Sequence, residues 1–77
     1  MTDIRGAAEY IIKAIVTDSN NVLVESHQDN QLTIIEVSAP SEVIGQIIGK
    51  EGKIIKSVRT LLNLAFPETH YILQIKD

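Results

Sequence analysis

Apolar residues at Ile4, Ala7, Ala8, Ile11, Ile12, Ile15 and Val16 recur at steps of three and four, the period of a helix with one buried face. The spacing predicts an amphipathic helix over residues 3–17 with Thr2 or Asp3 as its N-cap, ended by the polar run Asp18-Ser19-Asn20-Asn21. The pattern then shortens to two β-branched stretches, Asn21 to Ser26 and Gln31 to Ser38, which read as strands joined by a hairpin loop over His27 to Asn30.

Pro40 and Ser41 mark a second helix, Glu42 to Ile48, whose apolar stripe is Val43, Ile44, Ile47 and Ile48 and in which Gly45 would let a neighbour come close. Gly49 suits a left-handed C-terminal cap. From Lys53 the helical period resumes: Ile54, Ile55, Val58, Leu61, Leu62 and Ala65 share one side and Lys53, Lys56 and Arg59 the other, at about 100 degrees per residue. Pro67 stops this third helix after Phe66, and Thr69 to Lys76 alternates as a final strand. The order is α-β-β-α-α-β. Three strands with three helices over one face make a two-layer α+β domain, expected to span residues 1–77 as a single unit whose other sheet face is the more solvated.

Composition narrows the chemistry. At 77 residues and 44% apolar content the chain has material for one core. Without cysteine there is neither a disulfide framework nor a thiolate metal site, and His27 and His70 are the only imidazoles, so no metal or other cofactor is expected. Asp18 to Asn21 lacks the ligand spacing of a cation loop and reads as turn chemistry. Asp3 and Glu9 interrupt the only apolar N-terminal stretch, and no run reaches the roughly 18 residues of a membrane span. The expectation is a soluble, cytoplasmic protein.

The net charge of -3 argues against a polyanion partner, but the distribution reverses this. Lys50, Lys53, Lys56 and Arg59 fall close together against Glu51 alone, whereas residues 1–48 carry Asp3, Glu9, Asp18, Glu25, Asp29, Glu36 and Glu42 against Arg5 and Lys13. The basic patch coincides with the tetrapeptide Gly49-Lys50-Glu51-Gly52. A phosphodiester must come near main-chain amides before they can donate to it, and a Cβ at Gly49 or Gly52 would hold it off. Gly52 stands where the third helix begins, so unpaired amides and the positive dipole end favour an anion there. Ile44, Ile48 and Ile55 would wall a groove for bases, with Lys50, Lys53 and Lys56 adding charge. Such a groove suits unpaired strands, whose bases can be splayed out, rather than duplexes.

The run at residues 47–62, IIGKEGKIIKSVRTLL, preceded by Val43-Ile44-Gly45, resembles the signature of the K homology (KH) domain, whose hallmark is I-G-x-x-G between two helices. The element order resembles the type II, bacterial arrangement, and over essentially its whole length the chain is similar to small bacterial single-KH RNA-binding proteins. The resemblance implies binding of about four nucleotides of single-stranded RNA. It further implies RNA-chaperone or post-transcriptional regulation, a homodimer or a heterodimer with a larger KH-containing protein, and a link to cell-envelope growth and cell shape. It implies no small-molecule substrate. Position by position, Gly49, Lys50, Glu51 and Gly52 become the phosphate loop, Ile48 and Ile55 its groove, and Lys53 and Lys56 its electrostatic support. Glu51 departs from the neutral or basic residue of many relatives and opposes a phosphate unless it points away or pairs with Lys53 or Lys56.

Three other readings stand beside this one. Helix, glycine turn and helix also outline a helix-turn-helix DNA binder, although beyond Arg59 and Asn63 the third helix has few side chains suited to base edges. A protein-interaction module would treat the loop as a tight turn and the cations as a solvated or partner-facing surface. Catalysis finds no nucleophile or acid-base signature among Ser41, Ser57, the histidines and the carboxylates. Tyr10, Phe66 and Tyr71 read as core or rim residues rather than stacking platforms, and His70 as packed or solvated.

Overall fold

The computed structural model describes residues 3–76. Helix α1 runs over Ile4–Ile15, strands β1 and β2 over Leu23–Asp29 and Leu32–Ser38, helices α2 and α3 over Ser41–Ile48 and Lys53–Ala65, and strand β3 over Tyr71–Lys76. The order and class are those expected. The sheet order is β1-β2-β3, with β1 antiparallel to β2 and β2 parallel to β3. Parallel neighbours need a long crossover, and α2, the glycine loop and α3 provide it. The loop is therefore held between two helices anchored at both ends in one sheet.

Asp3 caps α1 by accepting a hydrogen bond from the Gly6 amide at 2.7 Å, which satisfies one of the helix's orphan donors; Thr2 lies outside the described residues. Buried Ile4, Ala8 and Ile12 are the core-facing positions of α1. Opposite them Glu9 pairs with both Arg5 and Lys13 at 3.1 Å, and hydrogen bonds from Lys13 and then Arg5 hold its carboxyl below the usual range. Arg5 also donates to the Val24 carbonyl at 3.2 Å, tying α1 to the edge of β1.

The hairpin differs from expectation. His27, Gln28 and Asp29 belong to β1, paired with Ile34, Thr33 and Leu32, so the turn shrinks to Asn30 and Gln31. Asn30 makes this possible by taking φ 61°, a left-handed conformation that asparagine tolerates better than most residues. Polar side chains are accepted because an edge strand needs burial on few positions; Gln28 moreover donates to Thr33 Oγ1 at 2.8 Å.

Thr33, Ile35 and Val37 point from β2 into the core, where Ile12, Ile35, Ile47, Leu62, Val37 and Val58 are the largest fully buried side chains. Each such burial contributes about 1.5–3 kcal/mol before entropy is counted. On the opposite face Leu23 and Ile72 are exposed. The predicted apolar side of α3 is wider than what the sheet covers: Ile55, Val58 and Leu62 are buried, but Ile54, Leu61 and Ala65 face solvent. The reason is geometric, since these three lie at the flank of the stripe where no element packs over them.

Candidate nucleic-acid interface

Helix α2 ends at Ile48 and α3 begins at Lys53, and the turn between them has positive φ at Gly49, Glu51 and Gly52. Gly49 has φ 77° and ψ 175°, Glu51 φ 59° and ψ 23°, and Gly52 φ 75° and ψ 16°. Glu51 and Gly52 are the left-handed residues of the turn. Gly49 combines positive φ with an extended ψ, a region essentially confined to glycine, so it is not the left-handed cap expected of it.

The two glycines are needed for different reasons. A Cβ on Gly49 would collide with the side chain of Ile54, so Gly49 serves local packing and backbone conformation rather than ligand approach. A Cβ on Gly52 would meet none of the surrounding side chains within 4 Å, so beyond the strain of its positive φ the added carbon would obstruct an incoming molecule. Gly45 also has no neighbour within 4 Å of such a carbon, and it is exposed; the close-packed neighbour expected at Gly45 is not among the described residues. Gly45 and Gly49 lie one helical turn apart, which leaves α2 backbone bare beside the loop.

The donors also differ from the sequence reading. The Gly52 amide donates to the Gly49 carbonyl at 3.1 Å, and that of Lys53 to the Lys50 carbonyl, so the turn occupies them itself. The two bonds that close the turn do not use the amides of Lys50 and Glu51, and both residues are exposed. These are the apex amides left outside those two turn-closing bonds.

Around them the cations are open. Lys53 reaches Glu51 at 3.9 Å with both side chains more than two-thirds exposed, and Lys50, Lys56 and Arg59 have no ion-pair partner among the described residues. Ser57 and Thr60 donate back to the carbonyls of Lys53 and Lys56 at 3.0 Å, using their hydroxyls inside α3. The apolar trio separates. Ile44 and Ile55 are core residues, 8% and 7% exposed, because α2 and α3 turn them onto the sheet; Ile48 alone is half-buried at the surface of that core. Ile44 and Ile55 thus brace the loop from beneath, and any apolar wall facing outward comes from Ile48.

Gln46 fixes the other side of α2 by accepting from the Thr17 amide at 3.0 Å, which joins α2 to the end of α1. Tyr71 docks β3 on α3, its hydroxyl donating to Asn63 Oδ1 at 2.8 Å, and burial pushes its phenol ionisation up. Phe66 packs against the core. Tyr10 differs from the core or rim place expected, being 79% exposed on the outer side of α1. His70 is exposed, and among the described residues no three His, Cys, Asp or Glu side chains gather as metal ligands. Nor is any helix among them long and apolar enough to cross a membrane.

A glycine turn linking two helices between parallel strands, with an exposed apex and open cations, is the arrangement to compare with known proteins. The family model described as "KhpA/KhpB, KH domain" matches residues 5–75. The chain belongs to this KH-domain family. Its fold is accordingly the type II KH arrangement. The chain is similar to the RNA-binding protein KhpA of Treponema pallidum, 36% identical over 70 residues that cover 88% of each chain. The RNA-binding protein KhpA of Chlamydia pneumoniae is 45% identical over 53 residues, covering 69% of this chain and 68% of that one. The protein of the same name from Caldanaerobacter subterraneus subsp. tengcongensis is 38% identical over 55 residues, covering 71% and 73%. No solved structure matches the chain.

Proposed function

We propose that this chain binds short single-stranded RNA at the Gly49–Gly52 loop, and the observation that carries the reading is an exposed apex at Lys50 and Glu51, whose amides take no part in the two bonds that close the turn, amid exposed cations. A phosphate set on the apex accepts from these amides, Lys50, Lys53 and Lys56 draw it in, and Gly52 leaves it room. The adjoining nucleotides run along the bare backbone of Gly45 and past Ile48. Bases stacked inside a duplex are not available to that surface, so unpaired RNA is preferred. Competition between a single-stranded RNA and a duplex DNA of the same sequence should leave the RNA bound; displacement by the duplex would instead support a helix-turn-helix mode.

The same reading places the protein in the cytoplasm as an RNA chaperone or post-transcriptional regulator, paired with a second copy or with a larger, KhpB-like KH protein. Family membership and the names of its relatives support this, and α3 offers a surface for pairing: Ile54, Leu61 and Leu64 are 38%, 50% and 75% exposed along one flank. Leu61→Asp should abolish any self-association seen by sedimentation; an unchanged sedimentation profile of a wild-type dimer would place the contact elsewhere. The wider role is in transcripts governing cell-envelope growth and cell shape. Deletion in the host that alters neither cell length nor transcript abundance would contradict it.

A further inference from the structure

Glu51 is the one acid in the basic patch, and the fold gives no reason to keep it. Its φ of 59° is a conformation that disfavours glutamate relative to glycine or asparagine. Its side chain is 71% exposed, and its single ion pair is the 3.9 Å contact to Lys53, which is itself 76% exposed. Pairs this open contribute little to stability. The position is nevertheless the exposed apex of the loop, beside exposed Lys50.

From this placement we infer that Glu51 is an affinity-setting residue: its carboxylate occupies Lys53 and opposes incoming phosphate, holding the affinity of a single loop low. The inference rests on the reading of this loop as the RNA site. An anion approaching the apex meets a like charge within the same turn, and the approach is opposed over the several ångströms at which charges act before salt screens them. To engage Lys53 the phosphate must displace the carboxylate already beside it. Lys50, Lys56 and Arg59, which have no acidic partner among the described residues, still attract it. The outcome is attraction without tight retention. Stable occupancy then depends on a second RNA-binding site held on the same complex, where tethering raises the effective concentration of the second contact.

The test compares wild type with Glu51→Gln, which keeps the side chain's length and backbone conformation and removes only the charge. With a fluorescently labelled oligouridine as probe, Glu51→Gln should bind about threefold to tenfold tighter near 50 mM salt, and the gap should narrow toward about 200 mM. Glu51→Asn, whose side chain suits the left-handed turn, should show the same gain. Equal or weaker binding by both variants, with binding still lost on Lys50→Asp, would overturn this inference and leave the RNA site standing. Absence of binding by wild type and all variants would overturn both.

Discussion

Replacing Lys50 and Glu51 together by aspartate is expected to lower single-stranded RNA binding more than tenfold while the melting temperature and circular dichroism stay near wild type. Both side chains are exposed, and among the described residues the only ion pair either makes is that of Glu51 with Lys53. Surface changes of this kind usually alter stability by within about 0.5 kcal/mol. Aspartate also accepts the left-handed backbone at position 51 more readily than glutamate does. The electrostatic change is large by comparison. A cation beside the apex amides becomes an anion, and two carboxylates at the apex face every phosphate that reaches it. If the wild-type loop engages two or three phosphates, its log affinity should fall against log salt with a slope of roughly -1.4 to -2. Equal retention of both proteins on an RNA column would reject the site.

Gly49→Ala should instead damage the fold, by about 2–5 kcal/mol, the combined scale of forcing a side chain into a glycine-only backbone region and crowding the first turn of α3. The added carbon would strike Ile54, and the neighbouring Ile54 amide nitrogen stands 3.0 Å from it. Against a total stability of about 5–15 kcal/mol for a small domain, the substitution would leave part of the population unfolded on heating to moderate temperature. Gly52→Ala is the internal comparison. It shares a positive φ but has open space around the new carbon, so it should cost about 1–2 kcal/mol in folding and weaken RNA binding at the loop. Urea titrations giving equal losses for the two would contradict the division of labour between the glycines.

Much of this architecture is legible in the chain because the signals are local. The steps of three and four through Ile4 to Ile12 and through Ile55 to Leu62 mark helices whose buried faces they then form. Pro67 and the alternation after it mark β3. What the chain conceals depends on partners distant in sequence. Nothing near His27 to Asp29 announces that Ile34, Thr33 and Leu32 extend the ladder, so a strand end reads as a loop. Ile44 and Ile55 look like groove residues because they flank the motif; only the packing of α2 and α3 on the sheet turns them inward. Tyr10 belongs with these, since the apolar period gives no sign that no element covers it. At the loop, residue types point to the right tetrapeptide but not to the donors, because which amides are left over depends on the carbonyls of Gly49 and Lys50 folding back onto Gly52 and Lys53.

Residue-by-residue amide NMR during titration with a single-stranded RNA will show whether the amides of Lys50 and Glu51 receive a phosphate. The first and largest shifts should fall on Lys50, Glu51 and Gly52, extend to Gly45 and Ile48, and leave Leu23, Ile34 and Ile72 on the uncovered sheet face unmoved. Saturable binding whose shifts centre on that sheet face or on Leu61 and Leu64, with residues 50 and 51 silent, would contradict the account.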